Sequence, residues 1–221
     1  MEIKTIAKEV SDILIVEKSK FIAYLFPCDS KKQIDKIVEE MNVKYADATH
    51  VCYAYIVNDD STILYKANDD GEPSQTAGAP ILNVLKKNNL MNVLCVVVRY
   101  FGGIKLGAGG LTRTYTNSAA MVVNQANIVT LIDAYKDEFV FPYDKIKDID
   151  KIFDINKLDI VEKNYDENVH YTILTLNEND AIDIYNKIKY LNVSINRLGT
   201  FSVRKKGWYK WNLKRKAYFI F

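Results

Sequence analysis

Residues 93–113 restrict the fold most. Six apolar residues in a row (VLCVVV) run through Arg99, Tyr100 and Phe101 into a segment, Gly102 to Gly110, that holds five of the chain's nine glycines. A run that short, rich in β-branched valine, is a buried strand and cannot span a bilayer, which takes ~20 apolar residues. After the glycine-rich loop the pattern predicts a helix over about 110–127, with Leu111, Tyr115, Ala119 and Val122 on one face. Glycine at such a junction admits positive φ and lets backbone approach a neighbour or a ligand closely.

The flanking sequence alternates strands and helices. Residues 13–16 and 21–26 read as strands joined by a turn at 17–20. Ser30 opens a helix as a capping box with Gln33, and Ile34, Ile37, Val38 and Met41 form its apolar stripe. Strands follow at 51–57 and 63–65. Residues 67–79, rich in turn formers, read as a loop, and Pro80 starts a short helix over 81–85. A polar stretch at 133–138 reads as a junction. Beyond it come a short strand at 139–141, a helix bearing Ile146, Ile149 and Phe153, strands at 158–161 and 169–175, a helix capped by Asn177, and a strand at 199–204. That βαββαβ order is the ferredoxin-like pattern. The expected organisation is therefore α+β, with a β/α domain over 1–133, a ferredoxin-like domain over 138–204 and a basic, aromatic extension over 205–221.

Composition narrows the function classes. The chain has 221 residues, 48% hydrophobic and 26% charged, which suits two globular domains. Residues 1–12 mix both charge signs without a signal-peptide core, so the expected location is cytoplasmic, with no membrane partner. Three scattered cysteines argue against a disulfide framework, and without a CxxC pair and with only two histidines no structural zinc is expected. The net charge of +2 conceals an asymmetry. Residues 196–221 carry eight Lys or Arg and no acid, leaving about −6 for residues 1–195, so nucleic acid would be held by local patches only.

Two segments carry candidate chemistry: 69–78 (DDGEPSQTAG) and 99–113 (RYFGGIKLGAGGLTR). In the second, a strand leads through glycines into a helix whose free N–H groups can face an anion, with Lys105 and Arg113 adding charge. It is neither a P-loop nor a GxGxxG fingerprint, since Thr112 stands at the third glycine position. In the first, Asp69, Asp70 and Glu72 are oxygen ligands of the kind that hold Mg²⁺, and Ser74 with His50 has the makings of a nucleophile and base. Asp-Asp-Gly is equally a turn sequence with solvated acids. His50 and Cys52 share a strand face about 7 Å apart, too far for a direct dyad. A buried His50 bonded to the acidic loop is the plainer expectation.

The two segments together, with 48–55 (ATHVCYAY) and 18–23 (KSKFIA), resemble the signature of the IMPACT family, whose bacterial members are called YigZ. Residues 139–204 are similar to the family's C-terminal domain. Gln75 departs from a usual glycine and Ala79 from a common basic residue. The resemblance implies an N-terminal domain like the second domain of ribosomal protein S-five and a C-terminal domain like a ferredoxin-like domain of elongation factor G. It also implies a role near translation.

Three readings follow. The preferred one is a translation-associated module that binds RNA or the ribosome. Its candidate site is His50, Asp69, Asp70, Glu72, Ser74, Arg99, Tyr100, Gly102, Gly103, Lys105, Gly107, Gly109, Gly110 and Arg113, with Tyr100 and Phe101 for base stacking. Arg204, Lys205, Lys206, Trp208 and Trp211 are candidate tail contacts. The second is a metal-assisted hydrolase or phosphoryl-handling enzyme using the 69–74 loop and His50. The third is an adaptor that binds a translation-related protein. No cofactor and no resident metal are expected, and the oligomeric state is left open.

Overall fold

Strand β6 (Val93–Tyr100) is the spine of the first unit, and seven of its eight residues are buried. The computed structural model describes residues 3–59 and 62–204. Within it, β1 (Ile3–Ile6), β2 (Val10–Val16), β3 (Ser19–Pro27), α1 (Lys31–Lys44), β4 (His50–Asp59), β5 (Thr62–Asn68) and α2 (Gly78–Lys87) precede β6, and α3 (Gly107–Gln125) follows it. Strands β2-β3-β6-β4-β5 form one sheet in that order, and every neighbouring pair is antiparallel.

Alternation along β6 explains why its sequence is continuously apolar. Val93, Cys95 and Val97 join a core with Ile81 and Leu85 of α2 and Leu111, Tyr115 and Val122 of α3. Leu94, Val96 and Val98 join a second core with Ile34 and Met41 of α1. A strand covered by helices on both faces has no solvent side and needs no polar alternation. The α1 start is as expected, with Ser30 accepting from the Gln33 amide at 3.4 Å.

The chain divides at Thr130 and Leu131 into two compact units. In the second, β7 (Ile128–Phe141), α4 (Ile146–Ile155), β8 (Asp159–Tyr165), β9 (Val169–Thr175), α5 (Asp180–Ile188) and β10 (Ser194–Arg204) follow one another in the βαββαβ order. The sheet runs β10-β7-β9-β8, antiparallel throughout. Its core is Phe139, Phe141, Ile149, Phe153, Tyr171, Ile173, Ala181 and Ile188, with edge-to-face pairs Phe139–Phe153 at 5.2 Å and Phe141–Tyr171 at 4.9 Å.

Several boundaries differ from the sequence reading. The polar stretch 133–138 is not a junction but the middle of β7. Its acid Asp137 is buried and bonded to Arg197, which arrives on β10 from 60 residues away. For the same reason β10 starts at Ser194 rather than 199, paired to β7 with a bulge between Arg197 and Gly199. Asn177 is not the cap of α5. Its side chain accepts from the amide of Asn179, two residues on, and Asn179 is the capping residue. Residues 67 and 68 belong to β5, β8 extends to Tyr165, and β1 was not anticipated. The turn after β2 is tighter than expected: Glu17 and Lys18, with φ of 46° and 64°, make a two-residue hairpin with the positive φ that such loops favour. Among the described residues no helix is long and apolar enough to cross a membrane.

Candidate functional site

Antiparallel pairing places residues opposite one another on the same sheet face. Phe21 of β3 and His50 of β4 both stand opposite Arg99 of β6, giving a row of three across the sheet. This is the α2/α3 face, and Arg99 is nearly closed off there at 5% exposure. Its guanidinium carbon lies 5.4 Å from the Phe21 ring centroid and 5.6 Å from that of Phe101, so the charge rests against two aromatic rings.

The loop after β5 supplies the counter-charge. Glu72 is buried, and its Oε1 accepts from Arg99 Nη1 at 2.6 Å and from the Tyr115 hydroxyl of α3 at 2.8 Å. His50 Nε2 lies 3.9 Å from Glu72 Oε2, while Nδ1 donates to the Asp70 carbonyl at 2.7 Å. The Cys52 thiol donates to the Asp69 carbonyl at 3.0 Å and lies 3.4 Å from the Tyr115 hydroxyl. Burial pushes the Cys52 thiol up to about 12, against the Tyr115 hydrogen bond, which lowers it. Burial first, then the neighbouring Cys52 and Glu72, raises Tyr115 far above the ordinary phenol range. Cys28 and Cys95 are likewise buried and pushed up to about 12. These thiols are inert packing groups.

The acids of the loop point in three directions. Asp69 accepts from the amides of Ala77 at 3.0 Å and Gly78 at 2.8 Å through Oδ1, and of Gln75 at 2.8 Å through Oδ2. It thereby caps α2, whose own capping residue Ala77 has no side-chain acceptor. Asp70 Oδ2 accepts from the Val51 amide at 2.6 Å. Among the described residues no three His, Cys, Asp or Glu side chains are placed to hold a metal ion. The oxygen-ligand cluster expected of the metal-assisted alternative is absent because each carboxylate already serves a protein donor. Ser74 is exposed on the loop, and the two His50 nitrogens face Asp70 and Glu72 instead of it.

Beyond Tyr100 the chain leaves the sheet. Phe101 N–H donates to the Thr49 hydroxyl at 3.0 Å and Gly102 N–H to the Ser19 hydroxyl at 3.1 Å. Gly102 lies so close to the β2–β3 turn that a Cβ would sit 2.0 Å from the Lys18 carbonyl carbon. The helix then begins at Gly107, three residues before the expected start. Glycine's poor helix propensity hides this first turn from pattern reading. Gly107 enters with φ of +71°, and Leu106, the capping position, offers no side-chain acceptor.

Glu72, Pro73, Arg99, Phe101, Lys105, Leu106, Gly107, Ala108 and Leu111 line a cleft of about 200 Å³ at this helix start. Of the residues singled out from sequence, Glu72, Arg99, Lys105 and Gly107 meet there, and His50 stands directly behind Glu72. Arg113 is exposed one turn along, with Nη1 beside Gly109. Gly103 is exposed with φ of +86°, and Gly110 packs on Leu106. Tyr100 points to the opposite sheet face, where its hydroxyl donates to Asp47 at 2.8 Å, so of the two aromatics expected to stack on bases only Phe101 reaches the cleft. Arg204 ends β10, and Lys205, Lys206, Trp208 and Trp211 lie outside the described residues. Phe21, Thr49, Tyr115 and Ala108 were not anticipated as site residues. Phe21 and Thr49 lie inside the two quoted motifs 18–23 and 48–55, which was the available signal.

Residues 17–123 match the model of the Impact N-terminal domain. That span contains every cleft residue. An IMPACT family member of Thermus thermophilus is 33% identical over 159 residues, covering 72% of this chain and 85% of that protein. The IMPACT family member YvyE of Bacillus subtilis is 45% identical over 116 residues, covering 52% of this chain and 53% of its own length, so the match spans about half of that relative. Human Protein IMPACT is 39% identical over 94 residues, covering 41% of this chain and 29% of that protein. A crystal structure of a hypothetical protein superposes with a TM-score of 0.63 at 24% identity, covering 90% of this chain and 98% of the other, a likeness of fold. With the domain match spanning the cleft and the Thermus relative matched over most of its length, the chain belongs to the IMPACT family.

Proposed function

We propose that this chain is a translation-associated binding protein that contacts RNA or the ribosome through the cleft at the start of α3. On this reading the first unit is like the second domain of ribosomal protein S-five and the second is ferredoxin-like, both in keeping with the family resemblance. The observation that carries the proposal is Arg99. Its charge lies between Phe21 and Phe101, with Nη1 given to Glu72, beside an uncapped helix start and the exposed Lys105. Phosphate oxygens are met by such donors, and a flat exposed ring such as Phe101 offers a stacking face to an unpaired base.

The test is binding of the full chain to purified bacterial ribosomes and to a single-stranded RNA oligomer over a range of salt. The expected log affinity falls with log salt, by about 0.7 per phosphate neutralised for a single strand. Lys105→Glu combined with Arg113→Glu weakens binding at least tenfold. Absence of binding to both partners at low salt rejects the reading.

A further inference from the structure

We propose that the outer edge of β5 is a strand-addition site for an extended acidic segment of a partner protein, which pairs with the main chain of residues 63–67 beside Lys66 and Lys86. None of these residues lines the cleft, so the inference stands apart from the RNA reading.

Strand register fixes which backbone groups are free. β5 ends the sheet order, paired on its inner side to β4 from Asp59↔Thr62 to Tyr53↔Asn68 without a bulge. In an antiparallel pair each strand turns alternate residues toward its neighbour and the rest away. Asp59 and Thr62 close a two-residue hairpin, and the residues closing such a loop bond to each other. Thr62, Leu64, Lys66 and Asn68 therefore face β4. The same phase turns the Val51 amide of β4 toward the β5 side, where Asp70 Oδ2 accepts it at 2.6 Å. The N–H and C=O groups of Ile63, Tyr65 and Ala67 point outward. Their side chains are exposed as well, Ile63 at 50% and Tyr65 at 61%.

The opposite edge of the sheet is guarded, and this one is not. On β2 the outward Ile13 amide is taken by Asp12 Oδ1 at 2.7 Å, and Gln125 of α3 donates to the same carboxylate. A carboxylate turned onto an edge strand works against pairing with another chain. β5 carries no acid, no proline and no bulge.

Charge selects the occupant. Lys66 lies over the Tyr53 ring on the α1 face at 6.0 Å, and Lys86 of α2 over the Tyr65 ring at 4.6 Å. Both lysines are exposed, and among the described residues neither has an acid partner. The neighbouring carboxylates are engaged elsewhere: Asp59 accepts from the Lys31 amide, Asp69 from the α2 amides and Asp70 from Val51. Lysines at an edge repel a basic strand and attract an acidic one. RNA fits this edge less well. Its phosphates only accept hydrogen bonds and leave the outward carbonyls unmet, whereas a peptide strand offers donors and acceptors in alternation. The segment places apolar side chains beside Ile63 and Tyr65 and acids beside Lys66.

The test is an NMR titration of the isotope-labelled full chain with the synthetic peptide (Glu-Val)3-Glu. The comparison probes are the same peptide methylated on its valine nitrogens, (Lys-Val)3-Lys, and a single-stranded RNA oligomer. The expected result is amide shifts centred on residues 62–68 with the acidic peptide and none with the basic one. Methylation removes the donors that face β5 and is expected to weaken binding about tenfold. Lys66→Glu, at an exposed position, is expected to keep the melting temperature and to weaken binding about fivefold. Absence of shifts at 62–68 with the acidic peptide overturns the proposal. Equal binding of the methylated peptide overturns strand pairing, and equal binding by Lys66→Glu overturns the acidic occupant. Shifts of the same amides by RNA alone overturn it in favour of a nucleic-acid surface. A dimeric mass of the chain without peptide, with 62–68 at the contact, gives the edge to a second copy and overturns it too.

Discussion

Arg99 and Glu72, 27 residues apart in sequence, meet through Nη1 and Oε1 at 2.6 Å, with side-chain exposures of 6% and 3%. Both charges are almost wholly withdrawn from bulk water, and each depends on the other for compensation. Tyr115 and His50 complete the surroundings of Glu72, so a sheet residue, a loop residue and a helix residue are tied at one point. Removing one member of a buried pair strands the other charge, which costs about 3–5 kcal/mol. Glu72→Ala is therefore expected to lower the stability of the first unit by that amount in urea denaturation. The double variant Glu72→Ala with Arg99→Met recovers at least half of the loss. Equal losses in single and double variants would show that the pair is not the source.

Two glycines of the 102–110 segment, one before α3 and one inside it, make opposite predictions. A Cβ on Gly102 meets the Lys18 and Ser19 backbone at 2.0–2.3 Å, where nothing flexible can yield. Gly102→Ala is expected to cost at least about 2 kcal/mol, at the upper end of overpacking penalties. A Cβ on Gly109 meets only Arg113 Nη1 at 3.6 Å, inside a helix. Gly109→Ala is expected to stabilise by about 0.5–1 kcal/mol through helix propensity. Thermal melts of the two variants side by side decide both.

Gln75 occupies a position where the family resemblance leads one to expect glycine, and its φ is +64°. The left-handed turn is thus retained without the residue that adopts it freely, held by the Gln75 amide on Asp69. A non-glycine residue in this region costs about 1–2 kcal/mol, partly offset by glycine's larger freedom when unfolded. Gln75→Gly is expected to raise stability by about 0.5–1 kcal/mol, read as an increase in melting temperature. A decrease would mean that the side chain makes a compensating contact.

His170 of β9 lies between Glu138 Oε1 at 3.2 Å and Asp166 Oδ1 at 3.1 Å. Desolvation pulls its pKa down, but Asp166 and Glu138 together more than offset this, and the net direction is up. Asp166 is lowered, first by the Asn168 amide and then by His170. A histidine raised on folding adds stability that is complete below its unfolded value, about 6.5, and fades as pH rises through the folded value. The lowered Asp166 adds stability above about 3.9, lost as pH falls through its folded value. The second unit is expected to lose stability on going from pH 6 to 8, and His170→Gln to flatten that slope. Proton NMR titration of the His170 ring, giving a midpoint at or below 6.5, would contradict the assignment.

Much of the local structure was legible because local structure is what periodicity encodes. The VLCVVV run specified a buried strand, Ser30 with Gln33 a helix start, and the order of runs after 139 a βαββαβ unit, since each signal lies within a few consecutive side chains. The misread places are those where a distant partner changes a residue's meaning. Asp137 looks like linker until Arg197 arrives, and Asp69 looks like a metal ligand until the α2 amides claim it. Tyr100 and Arg99 are neighbours in the chain, yet the strand sends them to opposite faces.

The sequence by itself determined most of the elements and the resemblance to the family, and it singled out the two segments proposed as the site. Only the tertiary structure decided that Phe21, Arg99 and His50 form one row, that Glu72 is buried against it, and that the cleft opens at Gly107. The physical reason is that burial and hydrogen-bond partnership depend on strand register and loop closure, which join residues tens of positions apart and leave no trace in the spacing of any one segment.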